Sequence, residues 1–119
     1  MKPLSRDDIL AVDDRKPVPV QVAEWDGVVN LKPISGIERA KLEEEMAKAR
    51  KTGADIPTEF GIKIVALSAV NGDGTTRLFK DEDVKALGQK SFKAISRLYK
   101  VCLELNAIGD DEIEELKKK

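Results

Sequence analysis

The feature that most constrains the fold is a run of alternating valines followed by an Asp–Gly pair. Val18, Val20 and Val22 occupy every second position, and a period of two places their side chains on one face of a β-strand. Asp26-Gly27 comes next, and such a pair favours a tight hairpin turn because both turn positions need a positive φ. The sequence therefore predicts a β-hairpin over about residues 17–33.

Three prolines limit where this hairpin can lie. Pro17, Pro19 and Pro33 have no N–H group to donate to a neighbouring strand, so the hairpin should lie at a sheet edge or stand nearly alone. A two-stranded hairpin without support is only marginally stable in water. We therefore expect it to pack against helices or against a partner.

Capping residues predict helices along the rest of the chain. Ser5 precedes two acidic residues, Ser35 and Glu38 form a capping-box pattern, and Asp81 stands before a short apolar stretch. Residues 58–70 fit both helical and strand spacing, and we predict a helix because the run is too long for an ordinary strand. The predicted helices span about residues 5–12, 36–51, 58–70, 82–88, 92–106 and 110–118.

Chain length and element types together predict the fold class. The 119 residues are the usual size of one domain. We expect a single α+β domain over residues 1–119, mainly helical, with an N-terminal β-hairpin. The apolar residues predicted for the 36–51 helix are Ile37, Ala40, Met46 and Ala49.

The clearest helical pattern covers residues 92–106, after a capping Ser91. One face of this helix is apolar, with Phe92, Ile95, Leu98, Tyr99, Cys102 and Leu105. Another face is basic, with Lys90, Lys93, Arg97 and Lys100. A solvated surface is the first interpretation of the basic face. Contact with an acidic protein partner, or with the chain's own acidic stretch at 110–115, is the second, and it makes these four residues candidate protein-binding residues.

Trp25 lies beside Glu24 just before the predicted hairpin turn. A tryptophan at the tip of a loop can anchor a protein interface. The alternative is that it covers the valine face of the hairpin, since the chain has only five aromatic residues. Both interpretations stay open, and Trp25 joins the candidate protein-binding residues.

Several kinds of chemistry lack the residues they need. The chain has no histidine, the commonest general base and metal ligand. Its single cysteine, Cys102, allows neither an internal disulfide nor a cysteine-based zinc site. Asn71-Gly72-Asp73-Gly74 begins like a calcium loop but has Thr76 where the motif requires glycine. We therefore expect no enzymatic activity, no cofactor and no metal site.

Charge and hydropathy make nucleic acid and membrane poor candidate partners. The 21 basic and 22 acidic residues give a net charge of −1, which provides no broad attraction to phosphate. The longest apolar stretch, residues 64–70, is far shorter than the roughly 20 residues that span a bilayer. The N-terminus has no apolar segment typical of a secretory signal. We expect a soluble, cytoplasmic protein.

An ordered series of segments resembles one family. The series is Leu4–Ala11, Val20–Val29, Ser35–Arg39, Leu67–Val70 with Asp73-Gly74, Leu78–Gly88 and the helix end Leu103–Asn106. In this order the chain is similar to the tail assembly chaperones of long, non-contractile-tailed bacteriophages and their prophage relatives. The combination extends over nearly the whole chain, and it carries more weight than any single motif.

The resemblance implies a non-enzymatic factor for virion assembly. Such proteins bind the tape measure protein, keep it soluble, help to recruit major tail tube subunits, and are absent from the mature virion. The resemblance also implies action in the host cytoplasm. Members of this family are often made in a short form and in a longer form that is extended by translational frameshift. This chain would correspond to the short form. Self-association is a further expectation. The alternatives are a structural virion protein, such as a tail completion or head–tail connector component, and a small enzyme or nucleic-acid binder.

Overall fold

The computed structural model describes residues 2–51 and 60–106. Its helices are α1 Arg6–Ala11, α2 Gly36–Lys51, α3 Phe60–Ser68, α4 Val84–Leu87 and α5 Phe92–Leu105, with 3₁₀ turns at Ala23–Trp25 and Asp81–Asp83. Its strands are β1 Val18–Val22, β2 Gly27–Leu31 and β3 Ala69–Val70. This arrangement confirms the predicted α+β class with an N-terminal hairpin. The helix predicted at 110–118, and the first two residues of the one predicted at 58–70, lie outside the described residues.

The strands form one antiparallel sheet in the order β1-β2-β3. β1 pairs with β2 from Val18 opposite Leu31 to Val22 opposite Gly27. Pro19 therefore lies on an edge strand, as its missing N–H group requires. The hairpin does not stand alone, because β3 covers the other edge of β2.

The hairpin turn differs from the predicted two-residue turn. Val22 pairs directly with Gly27, so four residues connect the strands, and the 3₁₀ turn Ala23–Trp25 supplies most of them. Asp26 alone takes the left-handed conformation, at φ 51°, and its N–H donates to the carbonyl of Ala23 at 3.1 Å. Gly27 is an ordinary strand residue, so the turn predicted at Asp26-Gly27 is wrong.

The helix predicted to run to residue 70 ends at Ser68. The next two residues form β3, which pairs with the central strand through Ala69 opposite Leu31. The carbonyl of Ser68 accepts from Lys32 N–H at 2.9 Å, and that of Ala69 accepts from Leu78 N–H at 3.0 Å. Hydrogen bonds to distant segments therefore replace the last helical turn.

Three predicted helix caps are confirmed and one is wrong. The hydroxyls of Ser5, Ser35 and Ser91 each accept the N–H of the residue three positions later, at 3.1 to 3.2 Å. Asp81 lies inside a 3₁₀ turn rather than before it, and its carboxylate pairs with Arg77 at 3.1 Å. Asp83 instead accepts the Lys80 N–H at 2.8 Å.

The core lies where the sheet meets α3 and α5. Val22 and Leu31 come from the sheet, Ile64 and Val65 from α3, and Leu98 from α5, all with no exposed surface. Burying each such side chain contributes about 1.5–3 kcal/mol. Two further residues, Leu42 and Met46, bring α2 onto this core. The apolar face predicted for α2 is thus wrong at Ile37, which is 73% exposed, and at Ala40, which is also exposed.

Candidate protein-binding surface

A groove runs along the surface between α3 and α5, and we call it the α3–α5 groove. It has a volume of about 380 Å³. Its walls come from α3, from the turn after α4 and from the first two turns of α5. The lining residues are Gly61, Ile62, Gly88, Lys90, Phe92, Ile95, Ser96 and Tyr99.

Two glycines allow the walls of the groove to approach each other. A Cβ atom at Gly61 would lie 3.2 Å from Cδ1 of Tyr99, and one at Gly88 would lie 3.0 Å from Cδ1 of Ile62. Both distances are shorter than the roughly 3.5–4.0 Å at which carbon atoms pack. The missing side chains therefore let Tyr99 lie against α3 and Ile62 lie against the turn after α4.

Phe92 stands at the mouth of this groove with 74% of its surface exposed. The sequence pattern predicts it on the buried face of α5, and that prediction is wrong. The buried line is Ala94, Leu98 and Cys102, spaced by four. At 100° per residue, Phe92 is turned about 160° away from Ala94, so it leaves the core while Ile95 and Tyr99 stay partly buried.

The predicted basic residues lie next to the groove, but they are not equivalent. Arg97 makes a two-pronged ion pair with Glu24, in which Nη2 lies 3.1 Å from Oε2 and Nη1 contacts Oε1. This guanidinium lowers the pKa of the Glu24 carboxyl, and the charge of Lys93 adds to the effect. Arg97 is therefore neutralised within the fold.

The other three basic residues keep their charges available. Within residues 2–51 and 60–106, the ammonium groups of Lys90, Lys93 and Lys100 form no ion pair. All three are exposed. Lys90 lines the groove, while Lys93 and Lys100 lie three residues before and four residues after the lining residue Ser96. Residues at these spacings are neighbours on a helix surface.

Trp25 lies in the 3₁₀ turn of the hairpin, half-buried and packed against the core. This placement favours the interpretation in which it seals the hairpin. The structure brings its neighbour Glu24 to the basic face of α5, a contact that no local sequence pattern indicates because 73 residues separate the two partners. A role for Trp25 in protein binding stays a prediction.

A second apolar surface lies on the N-terminal segment Leu4–Val12. Leu4, Ile9, Leu10 and Val12 are 53–67% exposed, and α1 buries none of its residues. The helix is held by its own capping box, in which Ser5 and Asp8 exchange hydrogen bonds at 3.1 Å. Arg15 ties the segment to the body, since Nε donates to the Pro33 carbonyl at 2.8 Å and Nη2 to Glu38 at 3.1 Å.

A second cavity, of about 390 Å³, lies beside α2, α3 and α4 and is lined mostly by charged residues. Its cations already have partners: Lys63 pairs with Glu45 at 2.9 Å, and Arg77 pairs with Asp81 at 3.1 Å. Among its cationic residues only Lys41 has no ion pair within the described ranges. The cavity therefore offers little net charge to a ligand.

The predicted turn at residues 71–74 is present, and its aspartate is hydrogen-bonded within the same loop. The Asp73 carboxylate accepts hydrogen bonds from Thr75 N–H, Thr76 N–H and Thr76 Oγ1 at 2.7 to 3.0 Å. Over the described part of the chain, no three acidic or cysteine side chains come together as metal ligands. In the same residues, no helix is long and apolar enough to cross a membrane.

No protein family, curated protein or solved structure shows significant similarity to this chain. The two distinctive features of the described surface are the α3–α5 groove with its exposed aromatic residue and the uncovered apolar side of the N-terminal segment.

Proposed function

We propose that this protein is a tail assembly chaperone of a long, non-contractile-tailed phage or prophage. In this role it binds the tape measure protein, keeps that protein soluble in the host cytoplasm and helps to recruit tail tube subunits. It leaves before the particle is complete. The proposal combines the resemblance of the ordered sequence segments with one structural observation, which is the apolar α3–α5 groove bearing Phe92.

The exposed apolar surface supports a role in binding another protein. Phe92 is more than half exposed beside the apolar lining of the groove, and apolar surface marks sites of protein contact when it is grouped rather than scattered. A groove of this size supports a small interface, and small interfaces are typical of transient complexes. Many such contacts along one long partner raise the overall affinity while each one remains displaceable.

Co-expression with the tape measure protein encoded in the same phage or prophage genome tests the proposal. We expect the protein to co-purify with the tape measure protein and to raise its soluble fraction. A chaperone that neither binds the tape measure protein nor increases its solubility would contradict the proposal. A useful control is an unrelated acidic protein of similar size expressed from the same plasmid.

The second candidate is a structural virion component. The four exposed apolar side chains of the N-terminal segment favour it, because a permanent subunit interface would cover them. Mass spectrometry of purified particles separates the two functions. A chaperone should be missing from mature virions, whereas a tail completion or connector protein should be present in a fixed number of copies.

A further inference from the structure

We propose that the α3–α5 groove binds an amphipathic helix whose polar flank is acidic. The inference rests on the proposed function in one respect: the natural source of this helix would be a segment of the tape measure protein. The groove and the lysines beside it define the chemistry of this ligand.

The shape of the groove suits a helical ligand. Helices α3 and α5 form two of its walls, and Gly61 and Gly88 let these walls pack closely against Tyr99 and Ile62. Apolar atoms of Ile62, Ile95 and the ring of Tyr99 line the interior. A helix that enters such a groove places apolar anchors at positions i, i+3, i+4 and i+7 along one face.

Phe92 provides the dominant anchor on this side of the interface. It is 74% exposed at the first residue of α5, so a bound helix would bury most of its ring. Aromatic residues are over-represented among the residues that dominate binding energy, particularly when neighbouring contacts exclude water. Its burial would also remove a large exposed apolar side chain from water.

The charge around the groove selects an acidic ligand. The lining contains one charged residue, Lys90, and no carboxylate. Lys93 and Lys100 lie one helical turn before and one turn after Ser96, at the solvent-exposed edge of the groove. The charge of Arg97 is neutralised by its ion pair with Glu24. An acidic flank on the ligand would meet three ammonium groups that lack partners within the described residues, whereas a basic flank would be repelled.

The other surfaces do not share this combination. The N-terminal segment is apolar but carries Arg6 among its acidic residues, and the cavity beside α2 is lined by as many carboxylates as cations. Of these surfaces in the described residues, only the α3–α5 groove combines a concave apolar lining with lysines that have no carboxylate beside them in the lining.

Titration of the full-length ¹⁵N-labelled protein with two synthetic peptides tests the inference. Both peptides have about 18 residues, or five helical turns, and identical apolar positions. One carries Glu and Asp on its polar flank, and the other carries Lys and Arg. We expect the acidic peptide to shift the amide signals of Gly61, Gly88 and Tyr99 and to bind roughly tenfold or more tightly than the basic peptide.

Matched variants assign the binding to the groove. Phe92→Ser should weaken the binding of the acidic peptide by roughly tenfold or more. The double change Lys93→Glu with Lys100→Glu should make the protein bind the basic peptide more tightly than the acidic one. Val28→Ser is the control, because Val28 is 61% exposed on β2 and does not line the groove. It should bind like the wild type.

Three results would overturn the inference: equal affinity for the two peptides, signal shifts confined to the N-terminal segment, or a concentration-dependent dimer that Phe92→Ser abolishes. The last result would make a second copy of this chain the occupant. Co-expression distinguishes the two proposals. If wild type and Phe92→Ser solubilise the tape measure protein equally, the groove inference fails while the chaperone function stands. If neither solubilises it, the function fails and the peptide titration still decides the chemistry of the groove.

Discussion

Glu24 and Arg97, 73 residues apart in the chain, form a two-pronged ion pair that joins the hairpin turn to helix α5. The planar guanidinium matches both carboxylate oxygens, which gives the contact geometric specificity as well as charge. The pair fixes the turn next to Trp25, whose ring packs on the core. It also removes one cation from the basic face of α5 and leaves the lysines as the charges a partner would meet.

Glu24→Gln should destabilise the protein in a pH-dependent way. Because Arg97 lowers the pKa of Glu24 from its ordinary value of 4.5, the stability from this pair is present above that value and is lost as the pH falls through the lowered pKa. The thermal midpoint of the variant should therefore be lower than that of wild type at about pH 7, and the difference should be smaller at about pH 3. Fluorescence of Trp25, the only tryptophan, follows unfolding next to the pair. An equal difference at both pH values would contradict the assignment.

Two alanine substitutions in α5 should differ sharply in their effect on stability. Leu98 is fully buried, so Leu98→Ala should lower the free energy of unfolding by about 2–5 kcal/mol. Phe92 is 74% exposed, so Phe92→Ala should change the free energy of unfolding by no more than about 0.5 kcal/mol. Urea denaturation measures both. A large loss in Phe92→Ala would mean that its ring contributes to the core.

Local patterns predicted the elements whose signals lie within a few residues. The alternation of Val18, Val20 and Val22 predicted β1, and the serine caps predicted where α1, α2 and α5 begin. The end of α3 was missed, because Ala69 and Val70 leave the helix to pair with β2, some 40 residues earlier in the chain. Their own sequence contains no sign of that partner.

The candidate site was predicted only in part, for a related reason. Helical spacing correctly grouped Lys93, Arg97 and Lys100 on one side of α5. Spacing alone placed Phe92 with the core, since it shares an apolar face with Ile95 and Tyr99, but that face is wider than the surface α5 buries. The close packing of α3 at Gly61 against Tyr99 determines which part of this face lines the α3–α5 groove. This packing is a tertiary contact, so the local sequence of α5 does not predict it.

Asn106→Ala should cost about 1–3 kcal/mol of stability. The side-chain oxygen of Asn106 accepts the N–H of the buried Ile34 at 2.8 Å, and its amide donates to the carbonyl of Cys102 at 2.8 Å. Alanine would leave the Ile34 N–H without a partner inside the protein. Urea denaturation of wild type and Asn106→Ala measures the loss, and a change below about 0.5 kcal/mol would contradict a stabilising role for these two bonds.

Cys102 should resist alkylation in the native protein. Burial raises the pKa of its thiol to about 11, although the neighbouring Ser68 hydroxyl opposes the shift, so very little thiolate exists at about pH 8. Alkylation by iodoacetamide should be at least roughly tenfold slower in the native protein than in the urea-unfolded protein. Mass spectrometry of timed samples measures both rates. Similar rates would mean that α5 opens readily at Cys102.

Asp73 should titrate far below an ordinary aspartate. Three hydrogen bonds from Thr75 and Thr76 lower the pKa of its carboxyl from 3.8 to about 2. Because the charged form is the one stabilised, its contribution to stability is present above about pH 4 and is lost as the pH falls through 2. NMR titration of the side-chain carboxyl carbon measures the pKa directly. Thr76→Val removes the hydroxyl donor but leaves both backbone donors, so the pKa should rise only partway, and a return to the ordinary value would assign the shift to the hydroxyl rather than to the backbone.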